Sequence, residues 1–489
     1  MKRADQRGVA LIMTMILILI MSVMAVSLTF IARGETWSTM NYRLMSQARD
    51  TAEAGVNRAS NFLMYSYTLP VTGGSDPMTN YVVTASPVTY GGNPVIVSAN
   101  SNVSSNYPIS SVSSAFNTAN QGSLAAGTTT VNYATSAKLL SMRELGTLPP
   151  YLASGNNTVQ TWEITSTGSV TGVQTAQVSV VARLERQIVP VFAYAAFATY
   201  DGCDALNFGG GGSTNSYDSG NIAAGFTSTD GNVGTNGSLS TVGATTNIGG
   251  SLSTPRTGVG NCTGQNITAW DPNNGTLSEG LVELPGRIDY PTPTILPPGT
   301  DDLTTNSGCP GGFAGCTVTG GNVYLDPAAS ATPGTINLLN VSMTGGKDLH
   351  LKAGTYNINS ISQTGGAILY IDTYPVYLNV TGNGFANNQD VIKLTGGGIS
   401  NPSLIPANFQ IAYAGTAQIK LAGGAAASAL VYAPNATYSL TGGSSWYGAI
   451  IGKYLTDMGG TAIHYDRRLE TTVLKAGPYT LDSFNWQKF

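Results

Sequence analysis

Between Arg7 and Arg33 the chain carries no charged residue, which leaves an apolar run from Val9 to Ala32. No other feature limits the fold so strongly. As a helix rising about 1.5 Å per residue, the run is roughly 36 Å long, enough to cross a bilayer core with some tilt. Lys2, Arg3 and Arg7 precede it, so the leader is expected to stay cytoplasmic and the remainder to be exported. Two other readings share these residues. One is a secretory signal peptide cleaved near Ala25-Val26-Ser27, although such a peptide ordinarily has an apolar core of only about 7–15 residues. The other is a plain membrane anchor that keeps its leader.

The helix is expected to run on past the membrane. Met45, Ala48, Ala52, Gly55, Ala59 and Phe62 fall at alternating spacings of three and four, which is one apolar stripe on a helix. Arg43, Arg49, Asp50 and Arg58 lie off it. The element should stop before Pro70, because the residue ahead of a proline is pushed out of the helical region. From Val9 to Ser66 it would be about 87 Å long. A cleaved signal has no need of such an extension.

The run Arg7-Gly8-Val9-Ala10-Leu11-Ile12, then Asn41-Tyr42-Arg43, then Ala52-Glu53-Ala54-Gly55 resembles the start of the PilX-type minor pilins of bacterial type IV pilus machinery. The resemblance covers the first sixty or so residues. It implies a prepilin cut by prepilin peptidase between Gly8 and Val9, with the new amine on Val9 methylated. It also implies a single-pass inner-membrane subunit with a cytoplasmic N-terminus, extracellular once built into a pilus. Its partners would be other pilins, met through the N-terminal helix. In major pilins the fifth mature residue is usually glutamate, which can pair with the terminal amine of a neighbour. Here that position is Met13, which cannot neutralise a buried charge. The expectation is therefore a minor, tip-associated or initiating subunit. A pilus and a type II secretion pseudopilus both remain open.

Only 10% of the 489 residues are charged, while 60 are glycine and 42% are hydrophobic. Ser, Thr and Asn take the surface role of Lys and Glu, as suits an exported, β-rich chain with many tight turns. A net charge of −4 with no basic stripe after the leader argues against general nucleic-acid binding. Cys203, Cys262, Cys309 and Cys316 all follow the membrane segment, and an even count in an exported region points to two disulfides. Of the three pairings, the flexible loop Cys309-Pro-Gly-Gly-Phe-Ala-Gly-Cys316 favours Cys309–Cys316 with Cys203–Cys262. A zinc site is the rival, disfavoured by the absence of any CxxC and by irregular spacing.

The expected fold class is α+β, divided as a leader at 1–8, a transmembrane and amphipathic helix at 9–66, a pilin-like β region at 67–190 and a glycine-rich domain at 191–489. In the β region, Tyr81–Ala85 and Pro94–Ser98 are short β-branched runs, and Trp162–Val170 with Val173–Leu184 reads as a hairpin turning at Thr171-Gly172. Residues 99–135, rich in Ser, Asn and Thr, are expected to be a loop insertion. Beyond 192, Gly237-Ser-Leu-Ser-Thr241 recurs as Gly250-Ser-Leu-Ser-Thr254, and Thr-Gly-Gly begins at Thr319, Thr344, Thr364, Thr395 and Thr441. Related glycine pairs stand at Gly423-Gly424 and Gly459-Gly460. Short apolar runs between glycine corners predict a β-solenoid over 192–470, of parallel β-helix type. A β-sandwich with glycine-rich turns is the alternative. Leu284–Pro298 is expected to be a rigid extended excursion, and Ser483-Phe484-Asn485-Trp486 to cap the open core.

Catalytic signals are sparse. His350 and His464 are the only histidines, and neither a G-x-S-x-G elbow nor an H-E-x-x-H is present. Asp201 with Asp204, and Asp301 with Asp302, read as loop acids. A glycosidase would need two facing carboxylates at a set separation. His464-Tyr465-Asp466-Arg467-Arg468 is expected to close the last coil, with an arginine pairing locally to Asp466 or Glu470. Asp271-Pro-Asn-Asn-Gly275 fails as a calcium loop, because its twelfth position is Val282 rather than glutamate. No catalytic residue, metal or cofactor is therefore assigned. The expected role is a minor pilin-like subunit that primes assembly or presents its solenoid to a surface or glycan. A membrane-anchored or secreted carbohydrate-active enzyme is the alternative.

Overall fold

The computed structural model describes residues 7–71, 73–126, 129–146, 148–152, 157–171, 175–422, 427–443, 445–458 and 460–488. Residues 1–6 of the expected leader, Gly172 of the expected turn, the pair Gly423-Gly424 and Gly459 lie outside the described residues. The chain forms two compact units, each assembled from separated stretches. Unit 1 comprises 1–145, 158–187 and 476–489, and unit 2 comprises 146–157 and 188–475.

Unit 1 begins with helix α1, Arg7–Asn61, which widens into a π-helical turn at Phe62–Ser66 before Tyr67 turns extended. The apolar run is exposed throughout, with Leu11 64% and Phe30 71% exposed. Three of its four hydroxyls are satisfied within the helix: Thr14 donates to the Leu11 carbonyl, Ser22 to Leu19 and Thr29 to Ala25. Such back-bonding hides polar groups that an apolar solvent could not satisfy.

The second half of α1 lies on a sheet. Its strands are β1 (Ile96–Ser98), β2 (Gln121–Ala126), β3 (Thr129–Glu144), β4 (Thr158–Val170) and β5 (Ala176–Pro190). The order is β1-β3-β4-β5 and then the C-terminal strand Leu474–Lys488, with β2 pairing β3. β3, β4 and β5 run antiparallel, with Val131 beside Val170 and Trp162 beside Leu184. Alternation sends Trp162, Ile164, Val180 and Ala182 into the core under α1.

Three expectations need correction here. Residues 99–135 are not a loop insertion: they hold the helix Ser110–Ala119, strand β2 and the start of β3. Ile109, Val112, Phe116 and Ala119 of that stretch pack into the core, a helical stripe hidden by polar composition. Tyr81–Ala85 contributes only an isolated bridge from Val82 to Thr89. The tail 483–486 belongs to a strand of unit 1, with Phe484 and Trp486 each 48% exposed, so it caps no core.

Unit 2 is mainly β and its pairing is mostly parallel, with one antiparallel pair between Cys316–Thr319 and Asn322–Leu325. One column of neighbours runs Ile336, Tyr356, Leu378, Ile411, Val431, Ile450, then Ala196, Val233, Leu252 and Leu281. Every member is buried except Leu281, where the column ends. The numbering climbs to Ile450 and resumes at Ala196, so the stack is permuted: the last strands of the unit lie beside its first. The stretch Leu284–Pro298 contains no strand and links the two ends. Ile288 exchanges hydrogen bonds with the Asn236 side chain, the Pro291 carbonyl accepts from the Tyr432 hydroxyl, and Gly299 N–H donates to the Leu338 carbonyl. It is a strap along the stack.

Glycine pairs mark corners. Gly345, Gly346, Gly365 and Gly366 all have φ between 66° and 75°, the left-handed region that glycine enters without a Cβ penalty. The repeated Gly-Ser-Leu-Ser-Thr copies do not stack on one another. Leu239 lies between Leu206 and Trp270, whereas Leu252 lies between Val233 and Leu281. The repeat thus marks successive sides of the stack.

Candidate functional site

The first candidate is the seat of α1. Ala48, Ala52, Val56 and Ala59 are fully buried against the sheet. The approach is close enough that a Cβ on Gly55 would overlap the Ser166 and Thr135 hydroxyls, and one on Gly168 of β4 would overlap the Ala48 carbonyl. Ala52 and Gly55 therefore supply a small surface where helix and strand backbones nearly touch. Glu53 points away and accepts from Arg49 Nε at 2.8 Å. Ala54 is half-buried beside it. The helix pattern marks Gly55; its counterpart Gly168 was missed, although a glycine inside a β-branched run signals close backbone approach. Gly8 and Val9 lie in the first turns of α1, and the Val9 side chain is 60% exposed. Met13, 67% exposed, lies one turn on.

All four cysteines lie in unit 2, and they are joined as Cys203–Cys262 and Cys309–Cys316. The acids singled out in the sequence have ordinary partners. Asp201 pairs with Arg287 at 2.8 Å, and Asp302 Oδ1 accepts from the Asn340 N–H and side-chain amide. Asp204 takes a left-handed φ of 56°, and the Asp301 carbonyl accepts from Leu339 N–H. Asp271 accepts from Cys262 N–H at 3.3 Å.

The segment 464–468 corrects the expectation of local pairing. Its strand Ala462–Asp466 runs parallel to Ser213–Tyr217, with His464 beside Asn215. Arg467 donates to the Ser216 and Thr227 hydroxyls, Arg468 lies 3.7 Å from Asp218, and Asp466 accepts from the N–H groups of Ser219 and Arg468. Register places these groups beside the strand Ser213–Tyr217, so the arginines reach across to it. His464 is buried under the Phe226 ring at 4.1 Å, with Nδ1 on Asn215 Oδ1. Burial pushes its pKa down to about 4.

His350 occupies a different setting. Register aligns Tyr324, His350, Tyr370 and Ser400 on the outward side of one sheet. The His350 ring stacks between those of Tyr324 and Tyr370, at 4.2 and 4.6 Å, and its Nδ1 lies 2.9 Å from Asp372. Beside this ladder, the Asp326–Lys352 contact at 2.8 Å lowers the carboxyl pKa and raises the amine pKa, chiefly through their shared hydrogen bond. Among the described residues no group of three or more His, Cys, Asp or Glu side chains gathers to hold a metal.

Residues 7–57 match the model of the PilX N-terminal family. The N-terminus of this chain is PilX-type. The match covers the exposed apolar run and the Ala52–Gly55 seat, and a large C-terminal region follows. Residues 316–472, the later strands of unit 2, match a domain of unknown function, DUF7305. Among solved structures, the chain is similar to the competence-associated pilin ComZ from Thermus thermophilus, at 13% identity over 91% of this chain and 98% of that one. The TM-score of 0.28 is too low to transfer a fold or a role. No curated protein matches. A PilX-type N-terminus on a long apolar helix supports a minor pilin-like role in a pilus and fits a membrane-anchored, single-pass chain.

Proposed function

We propose that this chain is a minor pilin-like subunit of a type IV pilus or related filament, made as an inner-membrane prepilin and drawn from the membrane into the fibre. The observation that carries the reading is the continuity of α1. One helix joins a fully exposed apolar run to a half seated on its own sheet through Gly55 and Gly168. On this reading residues 1–8 are a leader removed by prepilin peptidase, Val9 is the methylated first residue and unit 1 is the pilin head. Unit 2 is read as a β-solenoid, supported by its parallel column of buried neighbours and its glycine corners. It would prime assembly or present a stiff surface to other pilins or to a surface ligand, with no chemistry of its own.

Mass spectrometry of the mature protein tests the reading. A start at Val9 is expected; a start near Ser27 would make the chain a soluble secreted protein and end it. Met13 adds a second test. With no carboxylate at that position, a filament of this chain alone would repeat an unpaired buried amine at every subunit. Sheared pili should therefore hold it at low abundance beside a smaller major pilin. Filaments assembled from this chain alone would overturn the minor assignment.

A further inference from the structure

The sheet of unit 1 has a second face, turned away from α1. Alternation along the strands places Asn132 of β3, Thr167 and Ser169 of β4 and Gln177 of β5 on it. Register sets Asn132 beside Ser169 and Ser169 beside Gln177, with Thr167 beside Ser179 in the next row. Neighbouring strands lie about 4.8 Å apart, and same-side residues on one strand about 6.8 Å apart. The result is a grid of amides and hydroxyls. Together with Ser123 of β2 and Asn102 it walls a cavity of about 580 Å³, in the size range of small-ligand sites.

The lining is unusual for such a site. It contains no Asp, Glu, Lys, Arg or His, and its only aromatic residue is Tyr133. The side chains of Asn102, Ser123, Asn132, Thr167, Ser169 and Gln177 make no hydrogen bond to another described residue. Tyr133, between Asn132 and Ala134, turns its ring the other way: it is 7% exposed, on the face under α1, where a Cβ on Gly55 would stand 2.9 Å from it. Gly122 of β2 leaves room for that ring: a Cβ there would stand 3.0 Å from the hydroxyl.

Chemistry narrows the occupant. An apolar ligand would strand these polar groups, at about 1–3 kcal/mol for each one left unpaired. A charged ligand would find no countercharge to offset its desolvation. A protein partner would be expected to anchor on buried aromatic or arginine hot spots, which this floor does not offer. A ligand that is neutral and carries many hydroxyls, each able to donate and accept, matches the grid.

We propose that this concavity binds a neutral carbohydrate. It goes beyond the filament role and places saccharide recognition in unit 1. The test uses the full chain in lipid nanodiscs, free of sugar-headed detergent. The probes are neutral tri- and tetrasaccharides of glucose, galactose, mannose and N-acetylglucosamine, with oligogalacturonate as the anionic control, read by calorimetry and saturation-transfer NMR. At least one neutral probe should bind and the anionic control should not. The double variant Asn132→Ala/Gln177→Ala should weaken binding tenfold or more. Thr167→Val, which keeps the branched shape but removes the hydroxyl, should weaken it about threefold with an unchanged unfolding midpoint. Three results overturn the proposal: no neutral probe bound at millimolar concentration, binding untouched by these variants, or capture of the anionic oligomer or a protein alone. The filament reading fails separately, on the mature N-terminus and pilus abundance.

Discussion

The two units solve the same problem, burying apolar side chains with few charges available, in opposite ways. In unit 1 β2, β3, β4 and β5 each pair with their neighbour in sequence, and α1 covers them. Its core depends on a single seat where Gly55 and Gly168 let backbones meet. In unit 2 most strands pair in parallel with strands that do not adjoin them in sequence, and the column even closes Ile450 onto Ala196. Its core is the sum of many similar steps, so damage at one step should stay near its neighbours. Unit 1 should fail at a point, and unit 2 should lose stability by increments.

The largest effect should come from the seat. Gly168→Val drives a branched side chain into the Ala48 carbonyl, a backbone group that cannot swing aside. Overpacking ordinarily costs about 1–3 kcal/mol, and backbone overlap should exceed that range. Hydrogen exchange resolved by peptide should show β3, β4 and the second half of α1 deprotected, while protection from Thr335 to Asp466 is retained. Equal loss in both regions would erase the contrast.

Within unit 2 the two disulfides close loops of very different length. Cys203–Cys262 spans a sequence separation of 59 and Cys309–Cys316 one of 7. In the chain-entropy model, removing the first should cost about 4 kcal/mol and the second about 2.5 kcal/mol. Denaturant unfolding of the two double-alanine variants checks the order. The reverse order would mean that local contacts, rather than loop closure, set the stability of this unit.

What could be read in advance divides along the same line. The stripe from Met45 to Phe62 was legible because helical periodicity is local, and Ala48, Ala52, Ala59 and Phe62 are buried where it placed them. The short apolar runs and glycine corners of unit 2 were legible for the same reason. The permuted stacking was not, because no residue near Ile450 specifies Ala196 as its neighbour. The Gly-Ser-Leu-Ser-Thr copies misled for a related reason, since identical words lie on different sides of the stack. The helix at Ser110–Ala119 was masked by its serines, and the polar grid around Asn132 and Ser169 emerges only once three strands are in register.

His464 sharpens the comparison through pH, because it lies where a late strand of unit 2, Ala462–Asp466, pairs with an early one, Ser213–Tyr217. Its folded pKa is about 4 against an ordinary 6.5. The unfolded chain therefore binds the proton more tightly. The stability it contributes is fully present above about pH 6.5 and is lost as the pH falls toward 4, up to about 3 kcal/mol. Unfolding measured at pH 7.5 and at pH 4 should show this loss in the wild-type chain. His464→Gln should flatten the difference by that amount. An unchanged pH profile would mean that the junction between Ala462–Asp466 and Ser213–Tyr217 is open enough to hydrate the ring.

The smallest effect tests whether the steps of unit 2 are equivalent. Asn337, Asn357 and Asn379 form a ladder: Asn379 donates to Asn357 Oδ1 at 3.0 Å, and Asn357 donates to Asn337 Oδ1 at 2.9 Å. The ladder stops because the next neighbour is Ala412, so Asn379 Oδ1 is buried without a partner. Asn357→Ala breaks two bonds and leaves the Asn379 amide unpaired as donor and acceptor. Asn379→Ala breaks one bond and removes the orphan acceptor, passing it down to Asn357. With a net bond worth about 0.5–1.5 kcal/mol and a stranded buried group costing about 1–3 kcal/mol, the central substitution should cost about 1–2 kcal/mol more than the terminal one. Paired denaturant titrations at one pH would resolve that gap. Equal costs would mean that water reaches the ladder from its Ala412 end, and that this unit's interior is less continuous than its column of neighbours implies.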